Sequence, residues 1–227
     1  MRYHNLQEAV FLRRPNRFKA FIHINGKEEV CHVKNTGRLG ELLLPGAKIL
    51  VEPAAEGSQR KTKYSLICVE KEGQWVNIDS QAPNKLAEEW ISAGGFLEDV
   101  RVIKREQTYG NSRFDLYVEA GNDKWFIEVK GVTLNVDGTA MFPDAPTERG
   151  KKHVEELVTC QKDGFKSAVL FVIQMKGIHQ FMPYEERQPE FAAALRMAQK
   201  AGVKIAAVDC IVKNDCICID HFVPVCL

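Results

Sequence analysis

No stretch of this chain is apolar over the length needed to span a bilayer. The N-terminal MRYHNLQEAVFLRR also lacks the extended apolar core of a secretion signal. These two absences set the expectation of a cytoplasmic protein with no membrane partner. An excess of one charge is missing as well. The formal net charge is +1, which argues against a protein that coats nucleic acid indiscriminately. There is no disulfide framework to read either. The seven cysteines are an odd number spread along the chain, and reduced cytoplasmic thiols are the simplest account. The late group Cys210, Cys216, Cys218, His221 and Cys226 lacks the spacing of a zinc knuckle. Core packing of small thiols is the preferred reading there, and a structural zinc site the alternative.

What is present fits a packed protein of one large domain or two small ones: 227 residues, 45% hydrophobic and 27% charged. The charge is unevenly placed. Residues 1–79 carry 13 Lys/Arg against 9 Asp/Glu, and the remainder carries 18 against 21. A basic front beside an acidic rear is consistent with a docking module followed by a metal-binding one.

The front part reads as all-β. Strand-like runs lie at 17–24, 28–34, 47–53, 62–71 and 74–79, with turns at Asn25-Gly26 and Glu72-Gly73 and a short helical turn near 38–43. Five short strands predict a compact barrel of the OB type, a common nucleic-acid platform; an SH3-like barrel gives a similar pattern. Arg13, Arg14, Arg17, Lys19 and Arg38 are candidate phosphate contacts. Residues 82–93, ended by Gly94-Gly95, read as a helix with Leu86, Trp90 and Ala93 on one face, and a domain boundary is placed before it. Strands follow near 100–109, 113–119 and 124–134. An irregular Pro/Gly run then leads to a helix from about Thr147 to Lys162. The apolar strand 167–174, a helix at 189–202 and a buried strand at 203–212 complete a mixed sheet.

The chemistry concentrates between Arg113 and Lys130. RFDLYVEA and KWFIEVK read as paired strands around an AGND turn. Glu128 and Lys130 share a strand face, and pairing brings the Asp115 carboxylate towards that of Glu128. Two approaching carboxylates repel unless a cation lies between them, and hard oxygen ligands suit Mg²⁺ or Mn²⁺. Asp115 and Glu128 are therefore the expected metal ligands. Lys130 is expected to stabilise developing charge, and to position or activate the nucleophilic water, in a metal-assisted attack on a phosphodiester. Glu-x-Lys is also a common solvated ion pair worth little. The apolar neighbours Trp125, Phe126, Ile127 and Val129, and the order of the flanking elements, favour the catalytic reading.

The order helix, Asp115 strand, Glu128-Val129-Lys130 strand, helix resembles the PD-(D/E)xK nuclease core. More specifically, NTGRL (35–39), NSRFD (111–115), EVKGVTL (128–134) and FPDAPTERGKKH (142–153) resemble the sugar fermentation stimulation protein family (SfsA) over nearly the whole chain. The resemblance implies an α/β (α+β) protein: an OB-fold-like barrel at 1–81, then a PD-(D/E)xK nuclease-like mixed-sheet domain at 82–227. It implies DNA as partner, with Arg113 and Arg149 joining the basic candidates and Thr147, Glu148, Arg149 and His153 near the phosphate or a metal-bound water. Such cores often take a further acid from the preceding helix, and Glu89 is the choice here. Metal-dependent DNA cleavage is the leading expectation; a non-catalytic DNA-binding regulator of sugar metabolism that retains the fold is the alternative. Oligomeric state is left open, a homodimer included.

Overall fold

A computed structural model describes residues 1–213 and 215–227. The first six strands are β1 (Gln7–Asn16), β2 (Lys19–Ile24), β3 (Lys27–Val33), β4 (Lys48–Pro53), β5 (Tyr64–Lys71) and β6 (Gln74–Asn77). They run in the order β3-β2-β1-β4-β5-β6, and a parallel β3–β5 pairing closes the first five into a barrel. Alternation puts Ala20, Ile22 and Ile24 of β2 inside, while Lys19 and His23 face out. The β2–β3 turn is Asn25-Gly26 with φ of 51° and 74°, the left-handed pair that matches strand twist in a two-residue hairpin.

The expected OB-like barrel is present, but its strands are counted differently. The run 74–79 is an extension beyond the closed ring, and the fifth barrel strand is β1, which the strand pattern passed over. Its second half, LRRPN, looks like a polar loop because Arg14 bonds backbone carbonyls instead of water. The helical turn near 38–43 is a single turn, Leu43 N–H to Leu39 C=O at 2.9 Å, and buries Leu39, Leu42 and Leu43 beneath the barrel.

The rest comprises α1 (Ala82–Ser92), β7 (Val100–Tyr109), β8 (Ser112–Ala120), β9 (Asp123–Val132), β10 (Leu134–Val136), β11 (Thr139–Phe142), α2 (Glu148–Lys162), β12 (Lys166–Ile173), β13 (Gln180–Pro183), α3 (Pro189–Lys200), β14 (Lys204–Lys213) and β15 (Cys216–Val223). The main sheet is mixed, in the order β15-β14-β12-β9-β8-β7, with β9, β12 and β14 parallel. β12 is buried on both faces: Ala168, Leu170 and Val172 join the core under α1, and Val169, Phe171 and Ile173 join the core shared by α2 and α3.

Two expectations are corrected. The Pro/Gly run after β9 is irregular only at 143–147: before that, β10 and β11 form a hairpin, and β11 pairs in parallel with the distant β13. The inner face of α1 is Leu86, Ala87 and Ile91, with Ala93 exposed, so the helix is rotated from its expected phase.

The barrel is docked firmly on this sheet. Leu50, Ile67 and Cys68 of the barrel share a core with Ala82, Leu86 and Leu116. Asn77 N–H donates to Gln174 C=O at 2.9 Å, and Gln174 Nε2 donates to Asn77 Oδ1 at 2.7 Å. Residues 1–3 lie against the far domain, with Arg2 bridging to Cys216. Among the described residues no helix is long and apolar enough to cross a membrane.

Candidate metal centre and nucleic-acid cleft

The β8–β9 ladder begins at Ala120↔Asp123 and runs to Leu116↔Ile127. One residue further on, the Asp115 side chain takes the place of a backbone partner: its Oδ2 accepts Val129 N–H at 2.8 Å, and Oδ1 accepts Asn84 Nδ2–H of α1 at 2.7 Å. Opposite it, Glu128 Oε1 accepts Lys130 Nζ–H at 2.6 Å and lies 2.5 Å from His153 Nδ1 of α2. Arg149 Nε lies 3.4 Å from His153 Nε2, so the tautomer that satisfies both contacts carries its proton on Nδ1. Thr147 caps α2 by accepting Gly150 N–H at 2.9 Å, which fixes the helix that delivers His153.

The carboxylates are shifted in opposite senses. Burial, and then the Glu128 charge, hold the Asp115 carboxyl above its ordinary range despite the bonds it accepts. Burial pushes Glu128 up as well, but the hydrogen bond from His153 and the Lys130 ammonium together bring it below its usual value. Glu128 Oε1 is thus well satisfied. Glu128 Oε2 is buried with no hydrogen-bond partner. A buried carboxylate oxygen without a donor is costly, and it is the atom a hard cation takes. Asp115 and Glu128 fit a Mg²⁺ or Mn²⁺ ion that keeps most of its waters.

Chain neighbours of this cluster open onto a cleft of about 780 Å³ between the barrel and the sheet domain, lined by Pro83, Gly131, Arg17 and Arg38 among others. A Cβ on Gly131 would stand 2.6 Å from Pro83 Cγ and 2.7 Å from Gln174 Oε1, so only glycine lets α1 and the strand end approach this closely. Arg14 shapes the barrel wall, donating to the carbonyls of Arg17, Asn35, Gly37 and Arg38 at 2.7–3.0 Å. Arg38 N–H donates to Asp144 Oδ2 at 3.2 Å and ties that loop to the sheet domain.

Residues 81–216 match the sugar fermentation stimulation protein RE domain, and residues 12–78 match the SfsA N-terminal OB domain. A sugar fermentation stimulation protein homolog of Clostridium beijerinckii is 52% identical over 100% of both chains. One from Desulfitobacterium hafniense is 52% identical over 99% of this chain and 98% of its own. The chain belongs to the sugar fermentation stimulation protein family. Its fold is shared by the Pyrococcus furiosus SfsA structure in complex with Ca²⁺, with a TM-score of 0.92, 33% identity, and coverage of 100% of this chain and 98% of that one.

In this family member, Asp115, Glu128 and Lys130 come together as expected, with His153 and Arg149 beside them. Glu89 does not join them. It is 45% exposed on the opposite side of α1, where its Oε2 accepts the Met1 ammonium at 2.8 Å. The α1 residue at the site is Asn84, which sequence reasoning missed. With the helix phase corrected, Asn84 lies one turn before Ala87 on the inward face, and that placement is the signal that could have found it.

Among the basic candidates, Arg17 and Arg38 line the cleft and Lys19 is exposed on β2. Arg13 is occupied by a two-pronged bond to Glu28 at 2.7 and 3.0 Å, and Arg113 pairs with Glu106 at 3.4 Å. Another grouping of metal-type ligands, Asp209, Asp220 and His221, is already served by an internal cation. Lys176 Nζ lies 2.8 Å from Asp209 and also bonds Asp220. Among the described residues the cysteines of the late group join no metal-ligand grouping; Cys210 is buried, and Cys218 and Cys226 are exposed.

Proposed function

We infer that this chain is a metal-dependent nuclease that cleaves DNA phosphodiesters. Asp115 and Glu128 hold Mg²⁺ or Mn²⁺, and the barrel docks the strand. The observation that carries the reading is the Glu128 carboxylate: one oxygen is held by Lys130 and His153, and the other is buried without a partner beside a second carboxylate. Such an arrangement is unfavourable in a plain core and has an obvious use around a cation. The Ca²⁺ named with the P. furiosus relative supports a hard-cation site in this fold.

When bound, the cation supplies Lewis-acid polarisation of a phosphoryl oxygen and a more acidic water. The chain's own groups do the rest. His153 and Lys130 fix the Glu128 carboxylate in one orientation, while Asn84 and Val129 N–H fix that of Asp115. Lys130 is 17% exposed and brings an ammonium to the edge of the site, where it stabilises charge developing on phosphate oxygens. Arg17 and Arg38 contact backbone phosphates along the cleft.

The test is incubation of the purified protein with single-stranded, duplex and branched DNA in Mg²⁺, in Mn²⁺ and in chelator. Cleavage that needs metal and disappears in Glu128→Ala supports the reading. Tight DNA binding with no cleavage of any substrate in either metal overturns it in favour of a non-catalytic DNA-binding protein.

A further inference from the structure

The turn joining β1 to β2 is Arg17-Phe18, with Lys19 following as the first residue of β2, and Phe18 is 56% exposed. A lone surface phenylalanine is ordinary. This one has three unusual features. Among the described residues only Phe18 and Phe222 are exposed phenylalanines, and Phe222 is engaged by the Trp90 ring at 5.2 Å. Phe18 is flanked on both sides by cations in a turn whose Asn16 and Arg17 line the interdomain cleft.

Its backbone is also held from several directions. Asn16 Oδ1 accepts Phe18 N–H at 2.9 Å and Lys19 N–H at 3.0 Å. Phe18 C=O accepts Val33 N–H at 2.9 Å, and Arg14 Nη2 donates to Arg17 C=O at 2.8 Å. An apolar ring presented on a fixed turn, between charges suited to phosphates, loses little conformational freedom when a planar ligand covers it.

We propose that Phe18 stacks on an unpaired base, so that the nucleic acid crosses the β1–β2 turn as a single strand on its way into the cleft. This rests on the nuclease reading above and narrows its substrate to DNA with a single-stranded segment: a free strand, a frayed end or a branch. In a duplex each base face is covered by its neighbours, so only an unpaired base offers a face to the ring. Arg17, Lys19 and Arg38 take the flanking phosphates. Stacking of this kind tolerates any base, so no strong sequence preference accompanies it.

The experiment is fluorescence anisotropy on the full chain in chelator, where nothing is cut. The probes are a single strand of roughly 15 nucleotides, near the upper site size of one OB fold, and the matching blunt duplex. They are titrated with wild type, Phe18→Ala and Phe18→Trp. Phe18→Ala is expected to weaken single-strand binding by roughly 5- to 150-fold and to leave the duplex unchanged. Phe18→Trp restores the affinity. The salt dependence of single-strand binding stays the same in Phe18→Ala, because no charge is removed. An equal loss on both probes, or no loss on either, overturns the inference while leaving metal-dependent cleavage standing. Wild-type protein that binds neither probe overturns this inference and the parent reading together.

Discussion

Two ion pairs in this molecule are almost the same length. Glu128 and Lys130 meet at 2.6 Å, and Glu28 and Arg13 meet at 2.7 Å. Their side chains are 3% and 17% exposed in the first pair but 46% and 54% in the second. The exposed pair keeps its hydration, is screened by salt, and implies nothing beyond a solvated surface. In the inner pair Glu128 is buried and Lys130 only partly exposed, a second carboxylate lies alongside, and Glu128 Oε2 is left unserved. Charge type and spacing are alike in the two regions. Burial is what separates them.

The strongest way to break that contrast is to remove charges from the buried region. Lys130→Ala and Glu128→Ala should each lower DNA cleavage by about a hundredfold or more while retaining most DNA affinity. Parallel cleavage and anisotropy measurements check this; cleavage that survives unchanged in both variants points to a contaminating nuclease.

On the docking side the effects should be smaller and depend on salt. Arg17→Ala or Arg38→Ala should each reduce the slope of log affinity against log salt by about one unit and leave the cleavage step of bound DNA untouched. An unchanged slope would move the phosphate surface away from the cleft.

Glu89→Ala sharpens the comparison from within α1. Glu89 pairs with the N-terminus at the surface, so the variant should cleave DNA at the wild-type rate and lose less than about 1 kcal/mol in a denaturant titration. A large loss of cleavage would return it to the site. The smallest effect is expected at Arg13→Ala, whose charge is already answered by Glu28. Both the thermal midpoint and the salt slope should match wild type.

How legible this was in the sequence follows from the same contrast. Period-two alternation revealed β2 and β8, whose burial alternates residue by residue. β9 is covered on both sides, with Phe126 in one core and Ile127 and Val129 in the other, and its aromatic and β-branched residues revealed it. The turns at Asn25-Gly26 and Glu72-Gly73 carried their own conformational signal: all four residues adopt positive φ. The Asp115, Glu128 and Lys130 constellation was readable for a related reason. Strand pairing alone brings Asp115 opposite Glu128.

What failed depended on non-local partners. β11 pairs with β13 some 40 residues away, and nothing in NVDGTAMFPD announces that partner. β1 was hidden because Arg14 spends its polarity on backbone carbonyls, a destination the sequence does not display. Asn84 and Glu89 were exchanged by an error in helix phase, which was anchored on Trp90 and Ala93 when the core grips Leu86, Ala87 and Ile91.

The central claim is that the buried Asp115–Glu128 pair is a divalent-cation site. Calorimetric titration of Mn²⁺ into wild type, Asp115→Asn and Glu128→Gln tests it most directly, with folding of each variant checked by thermal melting. The account predicts one saturable site in the wild type and at least tenfold weaker binding in both variants. Equal Mn²⁺ affinity in all three folded proteins would contradict it.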